Sequence, residues 1–176
     1  MHTMPFETRV PKSSAIGAYL PGAHFHDSWS ITAADPGLSA LEQFIKALSA
    51  TPPWIDRLMA LRNHAVAALG LKDLGTLSRL DPAKPASSYR PGDRVGIFTL
   101  IANDADEALL GDRDKHLDVT LSAHRAAAPD GQVLLTVTTV VHVHNWLGRL
   151  YMLPVTPMHR LIAPSVLKAA GRPRAA

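Results

Sequence analysis

Hydrophobic and polar positions alternate with a period of two through the second half of the chain. The alternation runs through four segments, VGIFTLIAN, EALLG, LDVTLSAHR and QVLLTVTTVVHVH. A period of two is typical of half-buried β-strands. The links NDAD, DRDK and PDG are short and rich in turn-forming residues. They therefore predict that neighbouring strands pair in antiparallel fashion.

The pattern then changes to a helical period. Apolar side chains recur from Leu147 to Val166 close to one continuous stripe, which predicts a long C-terminal helix lying across the sheet. Pro154, Pro157 and Pro164 interrupt this stripe. Because each proline removes a backbone hydrogen bond, we expect the helix to kink or divide.

The first half of the chain predicts one strand and two helices. Residues 1–18 have no period and predict an extended arm, and residues 24–32 predict a first strand. Ser39 and Glu42 fit a capping box that opens the first helix. Thr51 followed by Pro52 predicts the start of a second helix, which would end at Gly70. We expect a single domain over 19–170 and a disordered tail at 171–176.

This order of elements predicts an α+β fold. We expect an antiparallel sheet of about five or more strands that grips a long kinked C-terminal helix, with two helices inserted after the first strand. The order is similar to the helix-grip arrangement of the START and Bet v 1 superfamily (SRPBCC-like), whose sheet has seven strands.

Composition narrows the class of protein. Apolar residues make up 47% of the chain and charged residues 19%, as expected of a globular domain. The net charge of +3 comes from scattered basic residues, so no nucleic-acid surface is expected. The absence of cysteine excludes disulfides, thiolate zinc sites and cysteine nucleophiles. Neither a signal peptide nor a membrane-spanning run is visible, and we expect a cytoplasmic protein.

Four segments in order resemble a bacterial family of domains of unknown function, family 2867. They are PGAHFHDSW, RVGIFTLIANDADEALLG, DRDKHLDVTLS and TTVVHVHNWLGRLYMLPVTPMHRLI, which together span residues 21–162. Members of the family occur alone or attached to an NAD(P)-binding, sugar-epimerase-like domain. The resemblance implies a helix-grip-like fold and no particular activity. This chain contains no GxGxxG, so no nicotinamide or other cofactor is expected.

The family's motif positions fall on twelve residues of this chain. They are Asp27, Asp114, His116, Asp118, His144, Asn145, Gly148, Arg149, Tyr151, Pro157, His159 and Arg160.

Three of these positions are candidates for acid–base catalysis. His116 and Asp118 are two residues apart and share a face at the start of a predicted strand, so the carboxylate could orient the imidazole. His144 lies where the sheet passes into the helix and could act as a general base. Ordinary structural roles also remain open, because Asp and His are common in turns and at strand starts.

A second group predicts a ligand-binding surface near the junction of sheet and helix. Asn145 is expected to cap the helix, and Gly148 to let it approach the sheet or a ligand, since glycine inside a helix costs about 1 kcal/mol relative to alanine. Arg149 could pair with an aspartate. The full set is Asp27, Asp114, Asn145, Gly148, Arg149 and Tyr151.

Two histidine pairs suggest an alternative. His24 and His26 face one side of their strand, as do His142 and His144 on theirs. Four imidazoles from neighbouring strands could bind zinc or another divalent metal. Such pairs also arise by chance in a chain with nine histidines, and we expect partly exposed strand residues and no metal.

Three functions follow from these patterns. The first is a binding module that holds a small hydrophobic molecule in a cavity between the sheet and the C-terminal helix. The second is an enzyme that uses His116, Asp118 and His144 in the same cavity. The third, which the domain fusions of the resembled family imply by analogy, is an interaction protein, either a homodimer or a partner of an NAD(P)-binding oxidoreductase.

Overall fold

The computed structural model of the chain describes residues 3–67, 75–78, 80–81, 83–128 and 131–173. Over these residues the β-structure is a seven-stranded sheet in which neighbouring strands are antiparallel. The strands are β1 (Phe6–Glu7), β2 (Phe25–Thr32), β3 (Arg94–Val95), β4 (Phe98–Asn103), β5 (Glu107–Arg113), β6 (Leu117–Ala127) and β7 (Val133–Val143). Their order across the sheet is β1-β2-β7-β6-β5-β4-β3.

Three α-helices of the described residues complete the predicted α+β fold. They are α1 (Ala40–Ser49), α2 (Pro53–Ala67) and α3 (Trp146–Leu167). Short 3-10 turns lie at Ala15–Tyr19, Ala86–Ser88 and Lys168–Gly171. The prediction of an antiparallel sheet with two inserted helices and a long C-terminal helix is confirmed, and the arrangement is helix-grip-like. The predicted end of the second helix at Gly70 lies outside the described residues.

The two strands missing from the prediction are two residues long and lie at opposite edges of the sheet. The segment VGIFTLIAN, predicted as one strand, contains a tight hairpin between β3 and β4 instead. Gly96 allows this turn because its φ is 60°, a left-handed conformation that favours glycine. A Cβ there would also lie 2.8 Å from the carbonyl oxygen of Leu77.

Side-chain capping fixes the start of α1 as predicted. The Ser39 hydroxyl accepts from the N–H of Glu42 at 3.3 Å, and the Glu42 carboxylate accepts from the N–H of Ser39 at 2.7 Å. The prediction for α2 is wrong by one residue, because that helix begins at Pro53. The Thr51 hydroxyl donates to the carbonyl of Leu48 at 2.7 Å and so closes α1.

The prolines of α3 do not divide it, since the helix is continuous from Trp146 to Leu167. Pro154 and Pro157 leave the carbonyls of Leu150 and Leu153 without their usual helical donors. Leu150 is 50% exposed and Leu153 is 70% exposed. Water can therefore reach this side of the helix and bond to those carbonyls.

The sheet has a helix face, on which α1 and α3 pack, and an opposite outer face. The main core lies on the helix face and joins α1 to the sheet through Leu41, Phe44, Leu48, Leu100, Leu110 and Leu121. A second cluster at the C-terminal end of α3 contains Ile31, Leu135, Leu167 and Ala170. Both ends of the sheet are thus anchored to helices on the same side.

The N-terminal segment packs on the outer face. Ile16 in the first 3-10 turn is fully buried against Leu109 and Val140. The Glu107 carboxylate accepts hydrogen bonds from the hydroxyls of Ser14 and Ser122 and from the N–H of Ala15. This part of the predicted arm is therefore tied to the sheet by a polar cluster as well as by apolar contact.

The hydrogen bonds to Glu107 govern its ionisation. Burial raises the pKa of the carboxyl, but the bonds from Ser122, Ser14 and the backbone N–H of Ala15 outweigh burial, and the pKa lies below its ordinary value. A pKa lowered by folding stabilises the native state above the ordinary glutamate pKa. That stabilisation is lost as the pH falls through the lowered value.

We predict that Glu107→Gln lowers the free energy of unfolding by about 1 kcal/mol at neutral pH, because it removes charge-assisted bonds that solvent partly screens. The difference from wild type should shrink as the pH falls through the lowered pKa of Glu107. Urea unfolding at pH values from about 7 down to about 3 measures both effects. Glu7→Gln, at an exposed position on β1, is the control and should change little. An equal loss at every pH would contradict the role assigned to the charge.

The first turn of α3 lies directly against the turn before β6. Asn145 caps the helix as predicted, its side-chain oxygen accepting from the N–H of Gly148 at 3.0 Å. A Cβ on Gly148 would collide with the carbonyl oxygen of His116 and lie 2.8 Å from Cγ1 of Val143. Glycine is therefore required here by close approach, as the sequence indicated.

We predict that Gly148→Ala destabilises the protein by about 1–3 kcal/mol, even though alanine is the better helix former, because the collision involves backbone that cannot move aside. Thermal and urea unfolding measure the change. Gly17→Ala is the matched control, since no atom lies within 4 Å of a Cβ built at Gly17. Equal stability of the two variants would contradict the close approach.

Candidate functional site

A cavity of about 450 Å³ lies between α3 and the helix face of the sheet. Its floor is formed by alternate residues of β6 and β7: Leu117, Val119, Leu121, Val137, Thr139 and Val141. Its other walls come mainly from the helices, through Phe44, Leu58, Met59, Met152, Val155, Met158 and Ile162. Leu61 and Pro154 also line the cavity and are exposed, so it opens to solvent between α2 and α3.

The helix α3 is held over the sheet near its two ends and, between them, by the contact of His159 with β2. Near its N-terminus the helix touches the turn before β6 at Gly148. Near its C-terminus Val166 and Leu167 are buried in the core. These two contacts are about 27 Å apart at 1.5 Å per residue. Between them the side chains of the helix and sheet leave an apolar space.

Few polar side chains reach this space. Two of them, Arg62 of α2 and Tyr151 of α3, contact each other where these helices meet the cavity. The Arg62 Nε donates to the Tyr151 hydroxyl at 3.0 Å, and the guanidinium lies 5.2 Å from the ring centroid. Asp112 and Asp114 line the cavity at the end of β5, and Asp112 lies 3.6 Å from an Arg94 nitrogen.

A third set of polar side chains, His159 and Asp27, joins α3 to β2. His159 lines the cavity, and its Nδ1 lies 3.0 Å from Oδ2 of Asp27. The same Asp27 oxygen accepts from the indole N–H of Trp29 at 3.0 Å. Thr139, opposite Asp27 in the register of β2 and β7, contributes to the cavity floor. Thr139 and His159 therefore place two polar residues on one part of an otherwise apolar wall, and Asp27 contacts the second of them.

The predicted acid–base residues lie elsewhere. His144 and Asp118 do contact each other, with Nε2 and Oδ1 3.2 Å apart. Asp118 alternates with the cavity residues Leu117 and Val119, so its side chain is on the outer face. His116 binds the side chain of Asn145, whose amide nitrogen lies 2.9 Å from Nδ1. None of His116, Asp118 and His144 is among the residues that line the cavity.

The predicted ligand-binding residues divide into two groups. Asp114 and Tyr151 line the cavity. Asp27 reaches it through His159. Asn145 and Gly148 serve the start of α3 instead.

Arg149 is exposed on α3. Within the described ranges no ion pair joins it to Asp27, Asp114 or Asp118. The predicted aspartate partner of this arginine is therefore not found in the structure.

The two histidine pairs do not form a metal site. His142 contacts the carbonyl oxygen of Pro21 at 3.2 Å, and His24 accepts from the N–H of Val143 at 3.1 Å. His26 is exposed on the outer face. In the part of the chain that the structure describes, no three His, Asp or Glu side chains are placed to hold a metal ion.

His159 lines the cavity but was not among the residues predicted to bind a ligand. The stripe of α3 contained the information needed, because His159 follows Val155 by four residues and precedes Ile162 by three. Residues three and four apart share one face of a helix. Its contact with Asp27, from the other end of the chain, required the structure.

A family model matches most of the chain. The family described as Protein of unknown function (DUF2867) matches residues 19–166. This chain belongs to that family. The DUF2867 match confirms the resemblance seen in the four sequence segments. It runs from before β2 almost to the end of α3, so it includes both Asp27 and His159.

Two further findings bound the interpretation. No curated protein matches the chain. Among the helices of the described residues, none has both the length and the apolar character needed to cross a membrane. The description of the DUF2867 family names no activity. The cavity is therefore the feature from which we infer a function.

Proposed function

We propose that this DUF2867 protein binds a small hydrophobic molecule in the cavity between the sheet and α3. The open apolar cavity of about 450 Å³ is the observation that supports this function. Pockets for small ligands have volumes of about 300–1,000 Å³ and apolar walls with a few polar groups. This cavity matches that description in size and in lining.

The energetics favour an apolar occupant. Removing apolar surface from water stabilises a complex by about 25 cal/mol per Å², so a ligand that buries about 300 Å² gains roughly 7 kcal/mol before the cost of association. Only a few of the described lining residues carry a charged side chain, namely Arg62, Asp112 and Asp114. The interior therefore suits an uncharged body.

The ligand class follows from the few interior polar residues. Thr139 and His159 are set into an apolar wall, which would accept one polar group on the ligand. An amphipathic molecule with a hydrocarbon or aromatic body and one hydroxyl or carbonyl group fits this arrangement. The helix-grip-like fold resembles that of the START and Bet v 1 superfamily, and this likeness supports the proposal by analogy.

The test is a titration with the apolar dye N-phenyl-1-naphthylamine, excited directly so that tryptophan does not contribute. We predict saturable binding with one site per chain and a Kd of about 10 μM or lower. Val137→Trp, which places a large side chain on the cavity floor, should weaken binding at least about tenfold, which corresponds to 1.4 kcal/mol. Leu161→Trp makes the control, because Leu161 is on α3 but does not line the cavity.

Two results would contradict the binding function. One is the absence of saturable binding by the folded wild-type protein. The other is equal binding by the Val137→Trp and Leu161→Trp variants, which would place the dye outside the cavity. Cooperative thermal unfolding of each variant shows that a loss of binding does not come from a loss of the fold.

A further inference from the structure

We propose that the cavity is also a proton-transfer site, in which His159 is the base and Asp27 positions it. The substrate class is a largely apolar molecule with an acidic C–H or O–H group. The site rests on the proposed binding function, since the substrate must first enter the cavity. It differs from the acid–base trio predicted from the sequence, none of whose members lines the cavity.

The contact with Asp27 determines which nitrogen of His159 carries hydrogen. An ionised carboxylate can only accept hydrogen bonds, so Nδ1, 3.0 Å from Oδ2, is the protonated nitrogen. The neutral ring then has its lone pair on Nε2. Among the described residues no hydrogen bond occupies Nε2. The imidazole therefore offers a proton acceptor to a molecule in the cavity.

Neighbouring side chains hold this pair in place. Trp29 donates to Oδ2 of Asp27, and the Asp27 side chain is only 4% exposed. Phe25 packs edge-on against the His159 ring, with centroids 5.6 Å apart and an interplanar angle of 80°. An oriented imidazole backed by a buried carboxylate is the arrangement by which enzymes stabilise an imidazolium as it forms.

A second observation points to function. Oδ1 of Asp27 is buried and has no hydrogen-bond partner within the described part of the chain. A buried carboxylate oxygen without a partner costs stability, and a contact that only joined α3 to β2 would not need a charged group there. The negative charge of Asp27 becomes useful when His159 takes up a proton, because the pair is then neutral overall.

The chemistry requires no group beyond those present. Nε2 removes a proton from the substrate, and the electron pair of the broken C–H bond moves to an adjacent carbonyl oxygen or expels a leaving group. The imidazolium then returns the proton to the product or to water. No serine is among the described residues that line the cavity, and the chain has no cysteine, so a covalent serine or cysteine intermediate is not part of this proposal.

The probe for this step is 5-nitrobenzisoxazole, an apolar molecule that reports a base directly. Removal of its ring C–H proton forms a nitrile, breaks the N–O bond and releases a coloured phenolate, with no other reagent. We expect the wild-type protein to show saturable turnover. His159→Gln should lower kcat at least about 100-fold, the lower range of general-base catalysis. His26→Gln, at an exposed position on the outer face, should leave kcat unchanged.

Asp27→Asn separates positioning from simple structural support. The asparagine amide can donate to Nδ1, which would place the ring hydrogen on Nε2 and block the base. We therefore expect kcat to fall while KM and dye affinity stay within about threefold of wild type. A merely structural role would lower thermal stability without this selective loss. Free imidazole added to His159→Ala should restore part of the turnover.

The outcomes distinguish the two proposals. Dye binding without turnover, or turnover that His159→Gln leaves intact, would overturn the proton-transfer site and leave the binding function standing. Failure of the dye to bind would remove both. Turnover lost in His159→Gln and Asp27→Asn, with dye binding retained in each, would establish the site.

Discussion

The close contact between α3 and the turn before β6 is the constraint on which the rest of the structure depends. It requires a residue without a side chain at Gly148, and Asn145 fixes the helix start three residues earlier. With this end held at the sheet and Val166 buried near the other end, the middle of the helix spans an apolar floor without filling the space above it. The two ends of α3, together with the contact between His159 and Asp27, thus hold the helix over the cavity.

Much of the fold could be predicted from the sequence because its signals are local. The alternation in β6 and β7, the capping pair Ser39 and Glu42, and the cap at Asn145 each involve residues close in sequence. The edge strands β1 and β3 could not be predicted, because two residues are too few to show a period. Their pairing depends on where the rest of the sheet lies.

The candidate site could be predicted only in part. The alternation that places Leu117 and Val119 on the cavity side also places Asp118 on the other side, so that assignment was available from the strand pattern. The contact between Asp27 and His159 was not available, because 132 positions separate the two residues along the chain. Because His116 lies two residues from Asp118, the sequence favoured His116 as the acid–base histidine, whereas His159 is the histidine that lines the cavity.

The cavity opens between two helices, at Leu61 and Pro154. An occupant would therefore enter and leave between helices and not through the sheet. Widening the gap between α2 and α3 would admit a molecule while every strand keeps its ladder of hydrogen bonds. Amides of β6 and β7 would then stay protected from deuterium through many cycles of uptake and release. The α2–α3 gap, and not the sheet, would set the residence time.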